Sequence, residues 1–264
     1  NGTFGVMEDG RYPFKLENGD TAGAMCTLGT FSQYTVANKN SVVKIQDWIP
    51  FEVAALVGCG VTTGWGSAVY SADVKAGDTV VVFGIGGIGI NAVQGAKHAG
   101  ARFIIAIDTE EPKRDKAMEF GATHFYTGAE EAKAELPGLT WGPMAEKAII
   151  TIGVADAKVT ADATDMVGKR GTVVLTSMGG LDNQSINLTG LFVSQYEKSI
   201  KGSLFGSANA FYDIPNLLRL WDEKQVKLDE LVTHRFTLDQ VNEGYEMMEK
   251  GGDGMVRGII VHED

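Results

Sequence analysis

Three glycines and one aspartate mark the first chemistry in this chain. Gly84, Gly86 and Gly89 stand in G-x-G-x-x-G spacing, with Gly87 and Ile88 inside the loop, and Asp108 lies 24 positions after the first glycine. A loop of this kind between a strand and a helix cradles the pyrophosphate of a dinucleotide. The first glycine permits the tight turn, the second lets the backbone approach the phosphates, and the third lets helix and strand pack closely. The helix N-terminus adds unpaired N–H groups and the positive end of a dipole. Asp108 closes the next strand, where a carboxylate accepts hydrogen bonds from ribose hydroxyls. The same carboxylate repels a 2′-phosphate, and Thr109 follows it instead of an arginine, so NAD is expected over NADP. Lys113 is placed either to reach the ribose or phosphate or to face solvent. Cys59 is the second candidate. Its thiolate form is a metal ligand, and a lone cysteine in an apolar stretch is equally a small core residue. The pattern alone leaves both readings open.

The elements that must position these residues follow an alternating pattern. TVVVF (79–83) and RFIIAID (102–108) are continuous apolar runs of strand length, as expected of strands buried on both faces. HFYT (124–127), KAIITI (147–152), GTVVLTS (171–177) and SIKGSLF (199–205) supply four more. Helices are expected from the glycine loop to His98, from Glu110 to Phe120 and from Asp156 to Val167. Strands alternating with helices imply crossover units and a parallel sheet. Six strands in two halves is the doubly wound α/β arrangement that binds dinucleotides. Upstream, GTFSQYTV (29–36) and SVVKI (41–45) read as strands. The stretch 51–69 reads as a helix interrupted by Gly58, Gly60 and Gly64, which are expected to have steric reasons for being there. Downstream, a helix around 214–221, strands at 231–236 and 254–261, and an amphipathic helix at 238–250 look like part of a second domain.

Composition narrows the classes. The 264 residues carry 23 Lys and Arg against 34 Asp and Glu, a net charge of −11. That balance argues against nucleic acid or an anionic membrane as partner. No apolar run approaches the roughly 20 residues of a membrane span. Two cysteines, Cys26 and Cys59, are too few for a disulfide framework, so a reducing, cytoplasmic setting is expected. Cys26 reads as structural or incidental.

LVGCGVTTGWGSAV (56–69), followed by FGIGGIG (83–89), resembles the zinc-dependent medium-chain alcohol dehydrogenases, in particular the thiol-linked formaldehyde dehydrogenase and nitrosoaniline-dependent branches. MEFGATHFY (118–126), IKGSLFGS (200–207), LVTHRFTLDQVNEGYEMM (231–248) and GMVRGIIV (254–261) extend the resemblance through nearly the whole chain. It implies a Rossmann domain over residues 61–204, with residues 1–60 and 205–264 as remnants of a mainly β, GroES-like catalytic domain. It makes Cys59 a ligand of a catalytic Zn2+ and sets Thr63 at the nicotinamide ribose. It puts Ile88 behind the nicotinamide ring, Thr176 and Met178 along its amide, Phe205 against it and Arg257 on the pyrophosphate. The implied activity is hydride transfer from a zinc-bound alcohol or formaldehyde–thiol adduct to NAD.

In that family the remaining zinc ligands, a cysteine and a His-Glu pair, come earlier in the chain than Cys59 and have no counterpart here. The four histidines, His98, His124, His234 and His262, lie outside any such motif. The chain is therefore expected to be the later two-thirds of such an enzyme, inactive alone. Two alternatives stand beside it: an NAD-binding module without turnover, and a zinc-free quinone or enone reductase of the same superfamily. A homo-oligomer is expected, with the strand at 199–205 as the paired sheet edge.

Overall fold

A computed structural model describes residues 5–7, 9–177, 186, 188–251 and 254–262. Its organising element is a six-stranded, all-parallel sheet. In chain order the elements are a two-residue antiparallel pair, β1 (Phe14–Lys15) and β2 (Thr21–Ala22), then α1 (Phe51–Val57), α2 (Gly60–Gly66) and β3 (Thr79–Phe83). α3 (Gly89–His98), β4 (Phe103–Ile107), α4 (Arg114–Phe120), β5 (His124–Tyr126) and α5 (Ala129–Thr140) follow. β6 (Ala145–Ile150), α6 (Ala157–Met166), β7 (Val167–Leu175), α7 (Gly190–Gln195) and β8 (Ser199–Gly202) complete the sheet. The chain ends in α8 (Ala210–Asp222), β9 (Val232–Phe236), α9 (Val241–Lys250) and β10 (Arg257–Ile260).

The sheet order is β5-β4-β3-β6-β7-β8. The direction of winding reverses between β3 and β6, and the crevice above that switch point is where a doubly wound sheet takes its ligand. Period-2 alternation splits the strand side chains between two cores. Val80 and Val82 of β3 join Ile104, Ala106 and Ile149 under α2, α3, α4 and α8. Val81 and Phe83 join Ile105, Ile107 and Ile150 under α5 and α6, through Ala132, Leu136, Ala163 and Met166. Helices thus cover both faces, as the continuous apolar runs require. Outside this sheet, β9 and β10 form a separate parallel pair.

Three expectations are corrected. Residues 29–36 and 41–45 form bends and turns instead of strands, and among the described residues no strand pairs with either. An alternating apolar pattern makes a strand only where a ladder partner satisfies its backbone. The stretch 51–69 is not one helix: α1 and the helical run Gly60–Ser71 meet at 46°, with the break at Gly58–Cys59. α5 was not anticipated. Pro137 and Gly138 near its end disguise a helix that buries Ala132, Leu136 and Thr140 at four-residue spacing. Among the described residues, no single helix is long and apolar enough to cross a membrane.

Candidate dinucleotide site and cysteine corner

β3 ends at Phe83, and the chain turns sharply at Gly84, whose φ of +87° lies in the region that favours glycine. A Cβ on Gly89 would overlap the Gly84 carbonyl oxygen, so the third glycine lets α3 begin directly against the strand. Gly86 faces open space, with nothing within 4 Å of a Cβ placed there. Of the four loop glycines it is the one with open space beside its backbone. The loop is braced from β6: Thr151 Oγ1 donates to the Gly84 and Phe83 carbonyls at 2.7 and 2.9 Å. From α3, Asn91 Nδ2 donates to the Gly87 carbonyl at 2.8 Å.

Asp108 is tied to this loop directly. Its Oδ2 accepts from the Ile85 N–H at 2.6 Å and its Oδ1 from the Glu110 N–H at 3.0 Å. Lys113 Nζ lies 3.2 Å from Oδ2 and 2.7 Å from Glu110 Oε1, with both Lys113 and Asp108 side chains nearly covered. Lys113 Nζ also lies 3.3 Å from Oδ1, so the roughly four acceptor positions of the carboxylate are all engaged, and a further hydroxyl would share an oxygen with the long Lys113 contacts. Burial works to lower the Lys113 pKa. The hydrogen bond to Glu110 and the charge of Asp108 outweigh it, and the net shift is upward.

Arg257, the first residue of β10, reaches across to the loop from the chain's other end. A Cβ on Gly87 or on Gly60 would collide with its guanidinium. The side chain therefore bridges the phosphate-type loop and the N-terminus of α2. Burial lowers its pKa, while the charge of nearby Cys59 acts in the opposite sense. Among the described residues no carboxylate pairs with it. A half-buried guanidinium with no carboxylate partner among the described residues has the chemistry to pair with an anion.

Cys59 caps α2 at the break between the two helices, and its side chain is exposed. The small-core-residue reading of this cysteine is thereby set aside. Among the described residues, no group of three His, Cys, Asp or Glu is placed to hold a metal ion. Thr63 is buried in α2, and its N–H donates to the Cys59 carbonyl at 2.8 Å. The Ile88 carbonyl would overlap a Cβ on Gly64, so the loop and α2 touch backbone to backbone. Thr176 is buried at the end of β7, and its N–H donates to the Ile150 carbonyl. Phe205 begins a short turn with φ of +53°, followed by Gly206 at +68° and Ser207 at +57°. Left-handed L-residues cost roughly 1–2 kcal/mol each. Met178 lies outside the described residues. Arg257 thus links the glycine loop to the start of α2 beside Cys59, and Asp108, contacted by Lys113, is bonded to the same loop.

The likeness to known proteins is broad. The family model described as zinc-binding dehydrogenase matches residues 87–223, from inside the glycine loop to the end of α8. The NDMA-dependent alcohol dehydrogenase of Amycolatopsis methanolica is 52% identical over 258 residues, covering 98% of this chain and 69% of that protein.

The chain belongs to the zinc-binding medium-chain alcohol dehydrogenases.

Another member, the putative alcohol dehydrogenase D of Mycobacterium tuberculosis, is 47% identical over 98% of this chain and 69% of its own length. The alcohol dehydrogenase zinc-binding domain protein of Burkholderia ambifaria superposes with a TM-score of 0.86 at 26% identity, over 97% of this chain and 68% of that one. The present chain therefore spans a little over two thirds of the medium-chain dehydrogenases it matches.

Sequence reasoning passed over three polar residues that hold this site. Thr151 braces the glycine loop. Asn91 and Gln94 are buried polar side chains on the apolar face of α3. Gln94 clamps the Lys227 backbone, donating to its carbonyl at 3.0 Å and accepting from its N–H at 2.8 Å. The signal was available: polar residues at i and i+3 on a core-facing stripe need partners.

Proposed function

We propose that this chain is the cofactor-binding part, with a share of the catalytic part, of an NAD- and zinc-dependent alcohol dehydrogenase. The carrying observation is Arg257 seated over Gly87 while Asp108 is bonded to the same loop. In this reading residues 61–204 form the cofactor domain, and residues 1–60 and 205–264 belong to the catalytic domain.

The residues fit a dinucleotide. The open face at Gly86, the N–H groups at the start of α3 and the Arg257 guanidinium suit a pyrophosphate. Gly84, Gly87 and Gly89 shape the backbone that meets it. Asp108 accepts from the adenosine ribose and disfavours a 2′-phosphate, with Lys113 steadying the carboxylate. By the family resemblance, Ile88 and Phe205 would meet the nicotinamide ring, Thr63 its ribose and Thr176 its amide; Met178, given the same role as Thr176, lies outside the described residues. NAD, when bound, supplies the hydride acceptor. The chain's own task is to exclude water and hold ring and substrate carbon in reacting geometry.

Zinc fits less completely. Cys59 is the one ligand we assign in this chain, exposed at the helix break where a metal can reach it. One sulfur is not a zinc site, which needs three protein ligands and an open position, so no step is routed through the metal here. The substrate is a small alcohol or an aldehyde–thiol adduct, the setting is cytoplasmic, and the assembly is a homo-oligomer. A second reading, NAD binding without turnover, draws on the single metal-type donor at this corner.

One experiment separates the two readings: NAD-linked alcohol oxidation and zinc content of the natural gene product and of Cys59→Ala. The dehydrogenase reading expects zinc and turnover in the first, both lost in the variant, with NADH binding kept. Full oxidation after Cys59→Ala would refute it. NADH binding with neither zinc nor turnover in the natural product would establish the second.

A further inference from the structure

Five hydroxyls form a continuous chain beneath the end of β7, and the nucleotide loop uses none of their contacts. Thr176 Oγ1 lies 2.9 Å from Ser67 Oγ, which lies 3.2 Å from Ser203 Oγ. Ser203 Oγ lies 2.8 Å from Ser71 Oγ, which lies 2.9 Å from Ser207 Oγ. Ser67 also donates to the Thr63 carbonyl at 2.7 Å. Thr176, Ser67 and Ser71 are buried, and Ser207 reaches the surface. The chain stitches together three pieces that share no covalent neighbourhood: the helical run 60–71, the end of β7, and the segment after β8.

That last segment is the left-handed turn Phe205–Ser207, two of whose three residues adopt a conformation that L side chains avoid. The turn lies backbone to backbone on α2. A Cβ on Gly206 would come within 2.6 Å of the Thr63 carbonyl oxygen and 2.7 Å of the Thr62 carbonyl oxygen. Strained backbone persists where surrounding contacts over-determine it, and it concentrates at ligand sites. A polar network whose members are all paired rigidifies the elements it joins.

We propose that this hydroxyl chain is a positioning device for the nicotinamide end of the cofactor. It holds Thr176, Thr63 and the Phe205 turn in register with one another, through hydrogen bonds separate from those that brace the pyrophosphate loop. The inference rests on the NAD reading above. It concerns Ser67, Ser71, Ser203 and Ser207, which act through their neighbours and need not touch the cofactor.

The test compares two ligands on purified protein. NADH engages both ends of the crevice, whereas ADP-ribose carries the same adenosine and pyrophosphate and lacks the nicotinamide. In Ser71→Ala and Ser203→Ala, NADH affinity should fall about tenfold, as expected for loss of a buried hydrogen bond. ADP-ribose affinity should stay within about twofold. The emission of bound NADH should shift toward that of the free nucleotide. Both variants binding both ligands as the wild type does, or losing both in proportion, would overturn the proposal. A wild-type protein that binds neither ligand would instead remove the NAD reading itself, an outcome visible before any variant is made.

Discussion

The strand Thr79–Phe83 and the stretch 29–45 are both rich in β-branched and aromatic residues, and they meet opposite fates. All five residues of the strand are buried. In the stretch, Tyr34 is 89% exposed and Val36 97% exposed. The strand has its partners close by in sequence: β4 pairs with it after one crossover, and α3 covers it within ten residues. The stretch has no ladder partner among the described residues; Phe31 lies edge-on to Tyr245 of α9 at 6.0 Å, and the stretch's core contacts come from the part-buried Val43 and Ile45 near its end. α9 itself has no buried residue despite its amphipathic pattern. Burial is a property of the assembly that receives a segment, and β3 brings its assembly with it while 29–45 does not.

The sharpest way to break this comparison is to truncate one side chain in each region. Ile105→Ala in the sheet should cost about 2–5 kcal/mol in denaturant unfolding, and Val36→Ala under about 0.5 kcal/mol. Comparable losses would show that the 29–45 stretch is packed after all. The next largest effect concerns the anion site. Arg257→Ala should weaken NADH binding about ten- to a hundredfold, the worth of a charge-assisted bond, with little change in melting temperature. A variant with unchanged NADH affinity would remove Arg257 from the site. Asp108→Asn should narrow the preference for NADH over NADPH by about tenfold, read from paired titrations. A preference left intact would mean that other groups read the ribose.

The smallest effect is a pH dependence. The Lys113 pKa is raised in the folded chain above the ordinary lysine value of 10.5. Its contribution is therefore complete below that value and is lost as pH climbs through the raised one. Stability of the wild type should fall more steeply above about pH 10.5 than that of Lys113→Met. Parallel curves would show that the ammonium adds nothing.

How much of this was readable beforehand follows the same divide. The six strands, the turn at Gly84, the acid at Asp108 and the helix after Asp156 are local patterns, and each formed, although β7 begins four residues before the expected 171 and the last strand stops at Gly202, leaving Phe205 in a left-handed turn instead of at a strand end. The approach of Arg257 to Gly87 was expected only through family resemblance, because no local rule joins positions so far apart in the chain. An interruption of 51–69 was legible in its three glycines, but which of them breaks the helix was not, because Gly58 and Gly60 read equally well as packing glycines. Gly60 is one, since a Cβ there would strike Arg257, whereas Gly58 has only ordinary contacts. α5 was hidden by Pro137, which sits near its end, where few carbonyls remain to be lost. The hydroxyl chain was invisible because 132 positions separate Ser71 from Ser203, and no local pattern pairs Ser67 and Ser71 with Ser203 and Ser207. Only the fold brings them together.

The central claim is a dinucleotide held at the β3–α3 loop, and calorimetric titration of NADH and NADPH into the wild-type protein tests it most directly. The account predicts saturable NADH binding in roughly the micromolar range and NADPH at least about tenfold weaker. No heat of binding with NADH up to about millimolar concentration, or a preference for NADPH, would contradict it.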